Sequence, residues 1–242
     1  MGSSGQSLME VIGWFTDPAN WSGTSGIPNR MLEHLVLAGL AILIGCLIAI
    51  PVGLFIGHTG KGAGAAVAIG NLGRAIPSYA LLVIFVPLLG IGFFNALAAL
   101  VLLSLPPILT NTYAGLQGVD RDLVEAGRGM GMRERQILRG VELPLALPVI
   151  LAGVRIASVQ VVATATLAAL VAGGALGRFI VDGFAQQNTP MLVGGAILVA
   201  LLAILTERFM TILEHRATSP GLRAVLDAGS ERPAEVAAPT PS

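Results

Sequence analysis

The sequence predicts an all-α integral membrane protein, and three observations carry that expectation. Hydrophobic residues make up 54% of the 242 and charged residues only 12%, about half the usual globular share. A soluble domain with that balance could not cover its own surface with polar groups. Uncharged runs are long enough to cross a bilayer, for which about 20 residues at about 1.5 Å rise suffice. The basic residues gather in a few short loops instead of spreading along the chain.

The spans follow in order. Leu35 to Ile56 is the first, with no charge in 22 residues. Between Arg74 and Asp120 lie 45 uncharged residues, too many for one helix. Gly90-Ile91-Gly92 is the natural break, dividing them into a second span near Gly64 to Leu89 and a third near Phe93 to Leu116. Arg74 and the Ile76-Pro77-Ser78 step predict a kinked or broken second span. Leu143 to Ala172 reads as a long fourth span interrupted by Arg155, and Met191 to about Met210 as the fifth. The count is five, or six if the second is two pieces.

Lysine and arginine placement orients the spans. With the N-terminus outside, Lys61, Arg121, Arg128, Arg133, Arg135, Arg139, Arg208, Arg216, Arg223 and Arg232 are cytoplasmic, and Arg30 and Arg178 fall outside. That bias requires an odd number of spans. The N-terminus lacks the basic region and cleavage site of a signal peptide. Leu8 to Phe15 reads as an amphipathic segment on the outer surface, with Trp14 and Trp21 at headgroup level. Residues 1–31 form this extracytoplasmic segment, 32–216 the membrane domain, and 217–242 a Pro-, Ala-, Ser- and Glu-rich disordered cytoplasmic tail.

Composition also excludes functions. Fourteen basic residues balance fourteen acidic ones, which argues against nucleic acid as a partner. Three scattered histidines and one cysteine make no metal-ligand cluster. Gly57-His-Thr-Gly-Lys-Gly62 lacks the spacing and hydroxyl residue of a P-loop, and nothing pairs a nucleophile with a base. No enzyme activity is expected in this chain. The Gly53-x-x-x-Gly57 and Gly173-x-x-x-Gly177 matches carry little weight among 31 glycines.

The loop at 117–143 is the most polar part of the chain's interior. Asp122 and Glu125 have capping-box spacing, so a short helix is expected to start there. Gly131 can take φ > 0, end it, and turn the chain into a second short helix carrying Arg133, Glu134, Arg135 and Arg139. Pro144 and Pro148 then sit early in the fourth span. The result is a helical knob at the membrane surface. Its plain reading is a solvated loop whose arginines fix topology.

The spacing in this loop says more. Glu125-Ala126-Gly127, then Gly131, then Val141-x-Leu143-Pro144 resembles the EAA motif of ABC importer permeases. Gly127 and Val141 depart from it conservatively. Asn71 to Leu82, Asn111 to Leu116, Val141 to Ala157, and Thr164 to Ala169 with Gly174 to Gly177 look like the glycine betaine/carnitine/choline branch of that family. The resemblance implies a type I importer transmembrane domain whose 117–143 loop holds the coupling helix, in the bacterial inner membrane. Its implied partners are a dimer of cytoplasmic ATPase subunits that bind ATP and Mg, a second permease subunit, identical or homologous, and an extracytoplasmic binding protein. It further implies that Glu125, Ala126, Gly127, Gly131, Val141, Leu143 and Pro144 couple to the ATPase, the small residues letting its backbone come close.

Candidate pathway residues are Arg74, Ser78, Tyr79, Asn111, Thr112, Arg155, Gln160, Thr164 and Thr166, polar groups on apolar spans. For each neutral polar one taken singly, helix–helix glue is the simpler reading. Arg155 lies roughly 16 Å along a helix from Pro144, near mid-membrane, where an ionisable group faces a partner or a cavity. It would repel a quaternary ammonium head and can hold a carboxylate; pairing with a carbonyl or with the other permease is the structural alternative. Arg74 stands where relatives in this branch carry a neutral polar residue. With two Trp, both N-terminal, and two Tyr, the chain is poor in the aromatic cage a quaternary ammonium needs, which puts high-affinity recognition in the binding protein. Other readings are a permease for another small solute such as an amino acid, an ATP-independent channel or secondary carrier, and a membrane scaffold.

Overall fold

The computed structural model describes residues 3–172 and 174–217; of the tail expected over 217–242, Ala217 closes the last helix and residues 218–242, like Gly173, lie outside the described residues. All regular structure among those residues is helical: α1 (Ser3–Thr16), a 3₁₀ turn (Pro18–Trp21), α2 (Ile27–Thr59), α3 (Ala63–Ala75), α4 (Ser78–Ile84), α5 (Val86–Leu89), α6 (Phe93–Gln117), α7 (Arg121–Gly129), α8 (Glu134–Ile137), a π turn (Leu138–Glu142), α9 (Leu143–Ala165), α10 (Ala169–Ala172), α11 (Gly177–Ala185) and α12 (Thr189–Ala217). Among the described residues four helical runs are long and apolar enough to cross a membrane: Ile27–Thr59, Phe93–Gln117, Glu134–Val171 and Thr189–Ala217. The pair Ala63–Gly73 and Ser78–Leu89 is also apolar enough but is bent by 94°, the geometry of a broken span or a re-entrant loop, and counted as one span it makes the total five. The bend falls at the Ile76-Pro77 step, where both residues are extended. A residue before proline is driven out of the helical region and proline has no N–H to donate.

The bundle is built on close approach of backbones. Gly45, Ala49, Gly53 and Gly57 form one stripe of α2, and Ser104, Ile108, Thr112 and Leu116 of α6 fill it. A Cβ added at Gly53 would stand 2.7 Å from Thr112 Cβ, and one at Gly57 2.7 Å from Leu116 Cβ. The Gly53–Gly57 spacing is therefore a packing seam, contrary to the small weight its sequence pattern carries. Gly153 of α9 meets Asn111 and Pro107 of α6 in the same way, and Gly70 and Gly73 of α3 meet Thr110 and Pro106. Lipid is as apolar as leucine, so membrane helices associate through such dispersion contacts, and small residues maximise them. Large apolar side chains turn outward instead, among them Leu43, Leu47 and Phe55 on α2 and Ile204, Leu205 and Phe209 on α12.

One expectation is corrected and two details are added. Trp14 is buried, edge-on to Phe15 and Phe179 and seated over Gly194 of α12; the missing side chain at Gly194 opens the slot that draws the ring inward. Trp21 stays half-exposed. The fourth span reaches Val171, as its apolar run predicts, but its regular α-helix stops at Ala165, because Leu167 and Ala168 donate to carbonyls three residues back and tighten the chain into turns. Between it and α12 stands α11, which the apolar-run count misses; its Gly177 lies against the Thr166 carbonyl. Beside this turn the Glu33 carboxylate accepts from Arg30 and, at 2.9 Å, from the Ala175 N–H.

Candidate functional site

The knob begins at Asp120, whose carboxylate accepts from the Asp122 N–H at 2.9 Å. The N-cap is thus two residues earlier than the Asp122–Glu125 spacing predicts, since Asp120 is the extended residue whose side chain can reach back over the first turn. At the other end of α7, Gly131 has φ 81°. Its N–H reaches the Arg128 carbonyl at 2.9 Å and the Met132 N–H reaches Gly127 at 3.1 Å. These are the paired bonds of a Schellman motif, which requires a left-handed residue at that position.

The second expected helix is not independent. From Glu134 the chain runs through α8 and the π turn directly into α9, so the knob is rooted in the longest helical run among the described residues. Pro144 explains the π turn before it, because it has no N–H to complete the α-helical ladder there. The 38 residues of that run would extend about 57 Å, well beyond a hydrocarbon core of about 30 Å. The run is therefore longer than such a layer, and the charges Glu134, Arg135, Arg139 and Glu142 are gathered at its first end, where projection from the layer costs least.

One face of the knob is packed and the other is bare. Val124, Ile137, Leu116, Val119, Ala146 and Ile150 form a buried cluster at its root, with Met132, Val141 and Leu143 against it. Gly127 belongs to this inner face: it is buried, and a Cβ there would meet Ile137 Cγ1 and Met132 Sδ at 3.5 Å. That corrects its expected role in admitting a partner's backbone, since the helix turns it toward its own core. Leu123, Glu125, Ala126, Met130 and Gly131 are exposed, as is Pro144. The bare face thus combines an acid, small residues and two large apolar side chains.

Polar contacts hold the knob in place. Arg128 donates to both oxygens of Glu134, at 3.0 and 3.2 Å. The pairing pushes the guanidinium higher still in pKa and holds the Glu134 carboxyl below the usual carboxylate range. His58, in the last turn of α2, places Nδ1 at 2.5 Å from the buried Glu142 carboxylate and Nε2 at 3.3 Å from Glu134. Gln117 at the end of α6 donates to the Gly57 carbonyl at 3.0 Å. Sequence reasoning missed His58 as a site residue; its position at a helix end beside a polar loop was the available signal.

The candidate pathway residues separate into groups. Asn111 and Gln160 come together with Thr110 in a cavity of about 190 Å³ that Gly70, Gly73, Pro106, Pro107 and Ile156 also line. Asn111 and Thr110 donate back to the Pro107 and Pro106 carbonyls. Thr112 is buried in the α2–α6 seam and bonds to the Ile108 carbonyl, so the structure puts it between helices. Ser78 and Tyr79 open α4 just past the bend, Tyr79 half-exposed. Thr164 and Thr166 stand at the end of α9, the Thr166 hydroxyl buried without a hydrogen bond. The side chain of Arg74 lies outside the described residues. Arg155 pairs with two carboxylates of α12, Glu207 at 3.3 Å and Glu214 at 3.4 Å, and reaches the Thr211 hydroxyl at 3.4 Å. Glu207, near the end of the expected fifth span, and Glu214, just beyond it, were missed.

The family described as binding-protein-dependent transport system inner membrane component matches residues 30–219. The chain is 39% identical over 193 residues to the glycine betaine/carnitine/choline transport system permease protein OpuCB of Bacillus subtilis (strain 168), covering 80% of this chain and 89% of that one. It is 40% identical over 194 residues to the choline transport system permease protein OpuBB of the same organism, with the same coverage. Among solved structures, a chain of the MetNI methionine ABC transporter in an inward-facing conformation superposes with a TM-score of 0.69 at 26% identity, over 78% of this chain and 94% of that one.

Proposed function

This chain belongs to the family of binding-protein-dependent transport system inner membrane components, and from that we propose that it is the permease subunit of an ATP-driven importer for a small quaternary-amine osmoprotectant such as glycine betaine, choline or carnitine. The observation that carries the reading is joint. The chain is 39–40% identical to two such permeases over four-fifths of its length, and it presents a rigid knob rooted in the membrane bundle at the Glu125–Gly131 and Val141–Pro144 segments.

The knob docks a cytoplasmic ATPase, which supplies ATP hydrolysis that this chain does not perform. Leu123, Glu125, Ala126 and Met130 form its contact face, and the packed inner face makes the contact stiff. ATPase closure then moves helices as bodies. A second permease subunit completes the passage and an extracytoplasmic binding protein delivers the solute. In this reading the N-terminus is outside and the knob end, to which α12 returns, is cytoplasmic. The cavity at Asn111 and Gln160 forms part of the passage wall, and Arg155, satisfied by α12, is structural.

The test is ATP hydrolysis by the reconstituted complex with its binding protein, with and without glycine betaine, beside a Gly131→Asp variant. Betaine-stimulated hydrolysis that the variant loses while still assembling is the expected result. Stimulation by an amino acid such as methionine would keep the importer and discard the osmoprotectant. Absence of any associated ATPase would overturn the importer and return the chain to channels, carriers or scaffolds.

A further inference from the structure

We infer that His58 is the positioning residue that ties the knob to α2, so that a displacement of the knob reaches the first membrane helix as well as α9. The inference rests on the importer reading above. α8, the π turn and α9 follow one another without a break, and only the short turn at 130–133 joins them to α7, so the chain itself carries a push on the knob into α9. α2 has no such link: its last residue is Thr59, and some sixty residues of chain separate it from Asp120. Its connection to the knob is made through space.

Three contacts build that connection. The imidazole of His58 faces Glu142 of the π turn at 2.5 Å on one side and Glu134 of α8 at 3.3 Å on the other. Glu134 is in turn gripped by both guanidinium contacts of Arg128 on α7. One side chain of α2 thus touches both elements that follow α7, and through Glu134 the docking helix itself. The His58 and Glu142 side chains are 13% and 4% exposed, so water does not offer the pair an easy alternative. The end of α2 is also clamped to the end of α6, by Gly57 against Leu116 and by the Gln117 bond to the Gly57 carbonyl. A helix held along its length by the α2–α6 seam and at its end by His58 moves as one body with whatever His58 holds.

A side chain that merely stabilised the knob would, when removed, lower ATP hydrolysis and transport together. A coupling side chain lowers transport per ATP hydrolysed. The experiment compares wild type, His58→Ala, His58→Gln and Glu142→Gln in proteoliposomes containing the whole complex and its binding protein, with glycine betaine as the solute. Expected are near-normal assembly and ATP hydrolysis in His58→Ala, with solute moved per ATP reduced by about fivefold or more. Partial rescue is expected in His58→Gln, which keeps a donor, and an intermediate loss in Glu142→Gln. Hydrolysis and transport falling in proportion, or neither falling, would overturn the inference.

A second readout needs no solute. Spin labels at Thr59→Cys and Arg135→Cys in a Cys46→Ser background report the distance between the α2 end and the knob in the ATPase-bound complex. A single narrow distance with and without ATP, broadening only in His58→Ala, is expected; the same broad distribution in wild type would sink the link. If wild type fails to transport betaine while this distance behaves as expected, the substrate reading fails and the link stands.

Discussion

Arg155 of α9 and Glu207 of α12 lie 3.3 Å apart, and Glu214 meets the same guanidinium from one further stretch of α12 at 3.4 Å. One cation therefore faces two anions across the α9–α12 contact. Replacing Arg155 with Met should leave the two carboxylates to repel one another and cost about 1–3 kcal/mol, below the value for a fully buried pair because Glu207 is 45% exposed. Arg155→Met combined with Glu207→Gln and Glu214→Gln should recover most of the loss. Thermal unfolding of the purified complex reads both, and a triple variant weaker than the single one would contradict the pairing.

Gly127 has room for a methyl group. The added Cβ would make ordinary contact at 3.5 Å with Ile137 and Met132, and Ala is favoured over Gly inside a helix by about 1 kcal/mol. Gly127→Ala should leave ATPase coupling intact and hold or raise the melting temperature. Gly131→Ala, at φ 81°, should lose roughly 1–2 kcal/mol and loosen the knob, seen as faster amide exchange over residues 128–134.

The α2–α6 seam offers a contrast. At Gly53 the same methyl group would stand 2.7 Å from Thr112, so Gly53→Ala should force the helices apart and cost about 1–3 kcal/mol. Gly39, which has nothing within 4 Å of an added Cβ, is the matched control. Equal melting temperatures for the two variants would show that the seam does not hold the bundle.

The Arg128–Glu134 pair sets a pH dependence at the knob. Its hydrogen bond to Arg128 holds the Glu134 carboxyl below the usual range. The stabilisation is then fully present above the ordinary carboxylate pKa and is lost only as pH falls through the depressed value. Titrating the Glu134 carboxyl resonance should show the shift. Arg128→Gln should move the midpoint upward, and high salt should weaken the effect, as both groups are exposed.

Ala175 sits at φ 63° with its N–H bonded to Glu33. Ala175→Gly should relieve about 1 kcal/mol of backbone strain. Glu33→Gln should destabilise the turn between α10 and α11. Limited proteolysis near residues 172–177 distinguishes these outcomes from a turn indifferent to both.

Much of this protein is written along the chain. Apolar runs are local properties, and a run too long for one helix must break where glycine or proline allows, so α2, α6, α9, α12 and the Pro77 bend were legible. Gly131 was legible too, because a left-handed helix stop is a property of one residue and its immediate neighbours. The EAA-like spacing identified the knob for the same reason. What tertiary structure alone decided were the pairings between distant residues. Whether Gly127 faces inward depends on the helix's rotation against Ile137, and whether Trp14 meets lipid or protein depends on the slot at Gly194. Nothing in spacing relates His58 to Glu142 or Arg155 to Glu214. Buried charges must find opposite partners, but which partner each finds is set by how the helices cross, and that is decided by the sum of many small packing contacts in three dimensions.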